Sequence, residues 1–163
     1  MDKNIFDTRE LRGALGHFAT GVTIVTTTAS NGQPVGMTAS SFNTVSLDPP
    51  LVLWSVGRQA HGYAAFAEAK HFAIHVLHAG QKELSTIFGS AGNDKFSTVD
   101  IRKGLHGLPL LDEYAVCFEC SMEHRYEGGD HLILVGRILR INTDSSLKPP
   151  LLFYRGRYAE LCE

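Results

Sequence analysis

Basic charge, cysteine and long apolar runs are all scarce in this chain, and each scarcity closes off a class of function. Lysine and arginine number 15 against 17 aspartates and glutamates, for a net charge of −2 with histidine neutral. The cations are scattered, so no electrostatic footprint for nucleic acid exists. Three cysteines are too few, and odd in number, for a disulfide-stapled secreted scaffold, which points to a reducing cytoplasm. No uninterrupted apolar stretch approaches a membrane span, and Met1-Asp2-Lys3-Asn4 opens no signal peptide. No Gly-x-Gly-x-x-Gly fingerprint or P-loop occurs, so a bound nucleotide needs another device.

What is present suits one globular domain over residues 1–163, with 1–10 as a loose N-terminal extension. Of the 163 residues 44% are hydrophobic and 20% charged, enough for a single well-buried core. Asp7 to Ala19 reads as an opening helix, with Leu11, Leu15 and Phe18 at helical spacing. Gly21 to Thr28 is β-branched and predicts a strand; Asn31-Gly32 then supplies a hairpin turn. Pro34 to Ser46 returns as a longer strand bent near its serines and stopped by Asp48-Pro49-Pro50. Leu51 to Val56, nearly all apolar, reads as a strand buried on both faces.

Gln59 to Lys70 predicts a helix, Phe72 to Leu77 a strand, and Gln81 to Phe88 a short helix. Ser90 to Leu111, rich in glycine and charge, is expected to wander over the surface. Tyr114 to Tyr126 and Leu132 to Ile141 read as long strands joined by Glu127-Gly128-Gly129-Asp130, a connection that tolerates positive φ. A short strand, Leu151 to Tyr154, and an irregular tail follow. The sum is a mostly β protein, a largely antiparallel sheet of about six strands with a few short flanking helices, closed to avoid bare edges. Pattern alone fits a barrel and a sandwich equally.

Two tempting signals carry less than they promise. His71, His75 and His78 would share a face on a helix, but this segment is a strand, where His78 points away from the other two. Zinc needs convergent ligands, so solvent-facing histidines opposite Phe72, Ile74 and Val76 are the better account. Cys117 and Cys120 have dithiol spacing, yet an odd offset in a strand aims them at opposite faces, where they fill space.

The segment Met37-Thr38-Ala39-Ser40-Ser41-Phe42 sets small hydroxyl residues between two strands, and such hydroxyls and their amides hold phosphate without a strongly basic pocket. Several motifs resemble, in order, those of the short-chain flavin reductase family. Phe18 to Thr26 looks like its opening strand, Met37 to Phe42 and Val45 to Leu51 like its flavin-phosphate segment and following turn. Gly129-Asp130-His131 resembles its Gly-Asp-His signature, and Pro150 to Tyr158 its C-terminal close.

The resemblance implies a six-stranded Greek-key split β-barrel that dimerises. It implies reduction of free FMN or FAD by NADH or NADPH, with hydride passing from nicotinamide C4 to flavin N5. Reduced flavin then goes to a separate monooxygenase component; neither nucleic acid nor membrane is a partner. Thr38, Ser40 and Ser41 would hold phosphate and ribityl groups, while Met37 and Ala39 line the ring or its rim. Ser55, Val56, Gly57 and Arg58 match the next strand end, Phe88 and Gly89 a contact at the flavin tail, and Tyr154 and Tyr158 aromatic walls. His131, with Gly129 and Asp130, corresponds to the nicotinamide site. Relatives carry Asn-Arg-x-Ser where this chain has Gly57-Arg58-Gln59-Ala60, with His61 as the available substitute for the missing groups. A split barrel that keeps its flavin as an electron carrier, or that reduces a ferric chelate or corrinoid, is the alternative.

Overall fold

Val22-Thr23-Ile24-Val25 and the three threonines after them disfavour helix, because branching at Cβ restricts χ1. In the computed structural model, which describes residues 5–92 and 94–162, this run becomes a central strand of a β protein. Helix α1 (Thr8–Leu15), capped by the Asp7 carboxylate accepting from the Arg9 N–H, precedes β1 (Thr20–Gly21), β2 (Thr23–Thr28) and β3 (Pro34–Ala39). Then come β4 (Asn43–Leu47), β5 (Pro50–Gly57), α2 (Tyr63–Glu68), β6 (His71–Val76) and α3 (Lys82–Gly89). A small hairpin, β7 (Ile101–Lys103) and β8 (Pro109–Leu111), leads to the long pair β9 (Val116–Gly128) and β10 (His131–Thr143). The last strands are β11 (Leu152–Tyr154) and β12 (Arg157–Ala159). Residues 1–4 of the expected N-terminal extension lie outside the described residues, and Thr8 to Glu10 belong to α1.

Seven strands form one antiparallel sheet in the order β3-β2-β6-β9-β10-β5-β4. β1, β11 and β12 make a second sheet, and β7 pairs with β8. The expected count of six is thus corrected: the bend at Ser40–Phe42 splits one long strand into β3 and β4, and the tail and the supposed surface loop contribute short strands. Those two halves occupy opposite edges of the sheet. Laid flat, seven strands would hold their edges about 29 Å apart at about 4.8 Å per neighbour. Four Cα steps from Ala39 to Asn43 span at most about 14 Å. The sheet is therefore curled.

Its concave side carries one core. Val25, Ala39, Val52, Trp54, Val56, Phe72, Ile74, Cys120, Leu132 and Leu134 converge there from six strands, with Phe66 of α2. The Trp54 and Phe66 rings meet edge to face, centroids 4.8 Å apart. β5 corrects the sequence reading: burial alternates along it, with Val52, Trp54 and Val56 inside and Leu51, Leu53 and Ser55 half-buried. Only the face of β5 that carries Val52, Trp54 and Val56 meets the core, so an apolar run does not mean two buried faces here. At Gly136 of β10 a side chain has no room, because a Cβ would lie 2.5 Å from the Phe72 ring.

The convex side is covered by residues 104–114, most of which fall in the Ser90 to Leu111 stretch expected to wander over the surface. Leu108, Leu110 and Tyr114 are buried there with Ala73 and Cys117, and Leu111 packs with Val22, Ile24, Leu77 and Phe88. Backbone groups of this segment are answered by side chains from the sheet. Thr26 donates to the Pro109 carbonyl at 2.6 Å, and the Leu105 N–H donates to the buried Glu119 carboxylate at 2.6 Å. Arg140 and Asn142 also donate to Glu119, and these bonds hold its pKa below the usual value against the opposing effect of burial. Cys117 and Cys120 face opposite sides of β9, and burial pushes both thiols up to about 12.

The histidines correct the expectation of solvent exposure. His75 is fully buried: its Nδ1 donates to the Ile24 carbonyl at 3.0 Å and its Nε2 accepts from the Leu111 N–H at 3.1 Å. His78 is buried as a cap on the Gly80 N–H, and His71 stacks on His106. With both ring nitrogens of His75 committed, it is no metal ligand.

Burial lowers the His75 pKa from 6.5 to about 4. The unfolded chain binds a proton near pH 6.5 that the folded one refuses until about 4, so this contribution is complete above 6.5 and lost as pH falls towards 4. At about 1.36 kcal/mol per unit the loss is about 3 kcal/mol. Urea denaturation from pH 7.5 to 4.5 should show it, and His75→Gln should flatten the slope; equal slopes for both proteins would refute the assignment.

Candidate functional site

Alternation along β3 divides adjacent residues between two tasks. Met37 and Ala39 turn into the core, and Thr38 turns outward. Outside β3, a cavity of about 420 Å³ is lined by Val22, Thr38, Ser40, Ser85, Thr86, Gly89, Phe153 and Tyr158. That volume lies within the range of about 300–1,000 Å³ usual for small-molecule sites. Five of the lining residues carry hydroxyls, two carry aromatic rings, and none is charged.

Helix α3 forms one wall, and two contacts fix it against β3. The Thr38 hydroxyl donates to the Ser85 carbonyl at 2.6 Å, and Lys95 Nζ donates to the carbonyls of Phe88 (2.9 Å) and Gly36 (3.3 Å). Burial lowers the Lys95 pKa. The opposite wall is the β11–β12 hairpin, where Phe153 and Tyr158 are cross-strand partners with ring centroids 5.7 Å apart. The Tyr158 and Ser85 hydroxyls share a hydrogen bond of 2.8 Å. Tyr158 Oη also lies 3.5 Å from the Thr86 hydroxyl, whose own proton goes to the Lys82 carbonyl.

The link leading out of β3 continues towards a second cluster. The Ser55 N–H donates to Ser41 Oγ at 2.9 Å, and the Ser41 hydroxyl donates back to the Ser55 carbonyl at 3.2 Å. Two residues on, Gly57 pairs with His131. The β9–β10 turn, with Gly129 at φ 70°, sets Asp130 beside His131, and His131 Nδ1 lies 2.6 Å from Asp130 Oδ1. This bond lowers the Asp130 pKa. It also leaves Nε2 as the outward nitrogen, about where a side chain on Gly57 would meet it at 3.6 Å. The Arg58 N–H donates to the Asp130 carbonyl (2.9 Å), its Nε to the Gly129 carbonyl (3.3 Å) and its Nη1 to Tyr63 Oη (3.1 Å), while Nη2 pairs with Glu127.

The predicted residues therefore separate. Thr38, Ser40, Gly89 and Tyr158 line the cavity; Ser55, Gly57, Arg58, Gly129, Asp130 and His131 form the adjoining cluster. Ser41 joins the two as a clip, its hydroxyl committed to backbone. The side chains of Met37, Ala39 and Val56 belong to the core, which leaves their backbone groups to meet a ligand, and Phe88 packs under Gly36 and against Phe96. Ala60 packs on the core, and His61 lies in a separate cleft with Pro34, Val35 and Lys95. Tyr154 meets His17 near α1 rather than the cavity. Ser85, Thr86, Phe153 and Val22 went unselected in the sequence; only the Phe153-to-Tyr158 offset, equivalent across a tight hairpin, could have signalled one of them.

A larger recess of about 590 Å³ lies against α3, with Glu83, Asp100, Asp112 and Glu113 in its lining. Four carboxylates without a cation repel a phosphate, so size does not make it the nucleotide site.

Comparison with known proteins identifies the family. A family model described as flavin reductase like domain matches residues 15–161. The chain is 47% identical over 134 residues to "FMN reductase (NADH) SmoA" of Agrobacterium fabrum, covering 82% of this chain and 76% of that one. It is 43% identical over 150 residues to "Flavin-dependent trigonelline monooxygenase, reductase component" of Acinetobacter baylyi, covering 92% of this chain but 48% of the relative. It thus spans about half of that relative's length. A solved structure of the Streptomyces globisporus NADH:FAD oxidoreductase SgcE6, in complex with NAD and FAD fragments, superposes with TM-score 0.88 at 37% identity, covering 98% of both chains.

The geometry separates two neighbouring serines. Ser41→Ala should lower the unfolding free energy by about 1 kcal/mol, the net worth of a bonded hydroxyl. Ser40→Ala should stay within about 0.5 kcal/mol of the parent. Urea denaturation of both variants tests this; equal losses would contradict the clip.

Proposed function

The chain belongs to the flavin reductase like family, and on that premise we propose that it reduces FMN or FAD with NADH or NADPH and hands the reduced flavin to a separate flavin-dependent monooxygenase component. The observation that carries the proposal is the neutral, hydroxyl-lined cavity with its Phe153 and Tyr158 wall, beside a cluster that presents Arg58 and His131. The residues fit such a ligand: aromatic faces suit a planar ring, and hydroxyl and amide donors suit ribityl and phosphate oxygens. The flavin and the pyridine nucleotide supply the hydride chemistry, and the protein supplies alignment.

Each residue then has a task. Ser40, with its exposed hydroxyl, and the Tyr158–Ser85 pair donate to the flavin's polar chain. Gly89 leaves open space beside Thr38. Asp130 holds His131 so that Nε2 is offered to the nicotinamide amide or a phosphate, which makes His131 an orienting group rather than a proton shuttle. Neutral lining gives a modest grip, appropriate to a flavin that leaves after each turnover; a permanently bound carrier would need more. The named activities of the relatives, NADH-dependent reduction of FMN and of FAD, support the same reading.

The finer architecture belongs to the proposal as well. Six strands feeding one core suggest a closed split barrel, with β4 as an extension beyond it, in one domain. Leu11 and Leu15 of α1 and nearby Phe18 are exposed at 45%, 66% and 79%. Such an apolar face suits a homodimer interface. No described helix is long and apolar enough to cross a membrane, and a cytoplasmic site of action fits the cysteine usage.

Steady-state NADH oxidation with added FMN and FAD tests the proposal, with turnover on at least one flavin expected. His131→Ala should raise KM for NADH about three- to tenfold, the worth of one hydrogen bond, while flavin affinity changes less. Equal loss towards both ligands, or no turnover in the parent, would contradict it.

A further inference from the structure

Among the contacts at the site, one pairing has no obvious structural purpose. Arg58 is positioned by neutral partners: its backbone N–H bonds the Asp130 carbonyl, its Nε the Gly129 carbonyl, and its Nη1 the Tyr63 hydroxyl, over whose ring it lies at 5.9 Å. Those bonds already hold the β5 end to the β9–β10 turn. The remaining partner, Glu127, takes Nη2 and cancels the charge. Its side chain is 75% exposed, against 39% for Arg58. An exposed carboxylate held by one ion pair swings into water at little cost.

We infer that Glu127 is a displaceable counter-ion that phosphate-bearing ligands exchange for at Arg58, and so sets how tightly they are held. The inference rests on the reading of this site as one for flavin and pyridine nucleotides. With Nε and Nη1 committed to the Gly129 carbonyl and the Tyr63 hydroxyl, Nη2 is the position at which a phosphate oxygen would take a charge-assisted bond, and Glu127 occupies it. Exchange of carboxylate for phosphate leaves the arginine neutralised before and after, so the bound ligand gains only the difference between two ion pairs. That limited gain suits a product that must be released. Glu127 is thus a positioning residue acting through Arg58, and it touches no reacting atom.

The sources of phosphate are separated by ligands that lack it. Binding of FMN and riboflavin by flavin fluorescence, and KM for NADH and reduced nicotinamide riboside, are measured in the parent, Glu127→Gln, Arg58→Gln and the double variant. Glu127→Gln should tighten FMN or NADH about two- to fivefold, the range of an exposed ion pair, with kcat falling as release slows. Riboflavin and the riboside should be unmoved, and Glu127→Asp, shorter but still charged, should tighten less. In the Arg58→Gln background the gain should vanish. A gain limited to FMN names the flavin as the phosphate source, and one limited to NADH names the pyridine nucleotide. Equal tightening of phosphate-free ligands, a gain that survives loss of Arg58, or unchanged binding in folded Glu127→Gln overturns the inference. A parent that turns over no flavin overturns the functional reading instead, and a parent that binds neither ligand overturns both.

Discussion

Three residues, Ser40, Ser41 and Phe42, carry the chain from one edge of a seven-stranded sheet to the other, and this short link governs the rest of the molecule. A flat sheet cannot satisfy it, so the strands curl and their inward residues meet around Trp54 and Phe66. The link stays in place because the Ser41 hydroxyl both donates to and accepts from the Ser55 backbone. A bend with unmet backbone groups would otherwise depend on water alone. The same bend brings Ser40 to the cavity and aims Ser55, then Gly57, towards His131.

Around that bend, neighbouring residues do different physical work. Core packing takes Met37 and Ala39, Thr38 ties β3 to α3 through the Ser85 carbonyl, and Ser40 adds a hydroxyl to the cavity lining. Charge is kept out of the cavity lining. Four carboxylates line the larger recess, and the Arg58–Glu127 and Asp130–His131 pairs sit where the β9–β10 turn meets β5. On the convex side, His75 and Glu119 have the structural task of answering backbone N–H groups of the covering segment.

Much of this was legible in the sequence, for local reasons. The β-branched run Thr23 to Thr28, the Asn31-Gly32 turn with Gly32 at φ 83°, and the Gly129 turn each follow from short-range sterics. The hydroxyl-rich segment marked the site because its residues are consecutive. What stayed hidden depends on contacts between distant segments. Nothing near His75 announces that Ile24 and Leu111 will occupy its two nitrogens. Likewise Ser85, Thr86 and Phe153 reach the cavity from α3 and β11, far from Thr38 in the chain. The family motifs pointed to Met37 and Ala39, and only the structure shows that their side chains face the core. The α1 pattern was correct as helix, though the helix ends at Leu15 and its apolar residues lie exposed.

The central claim is that the space between β3, α3 and the β11–β12 hairpin is where flavin sits. A crystal structure of the protein with FMN is the most direct measurement. The account predicts the isoalloxazine ring against Phe153 or Tyr158, with the ribityl phosphate chain reaching the Ser40 side of the cavity. Flavin seated in the carboxylate-lined recess beyond α3, or on a surface remote from Thr38 and Gly89, would contradict it.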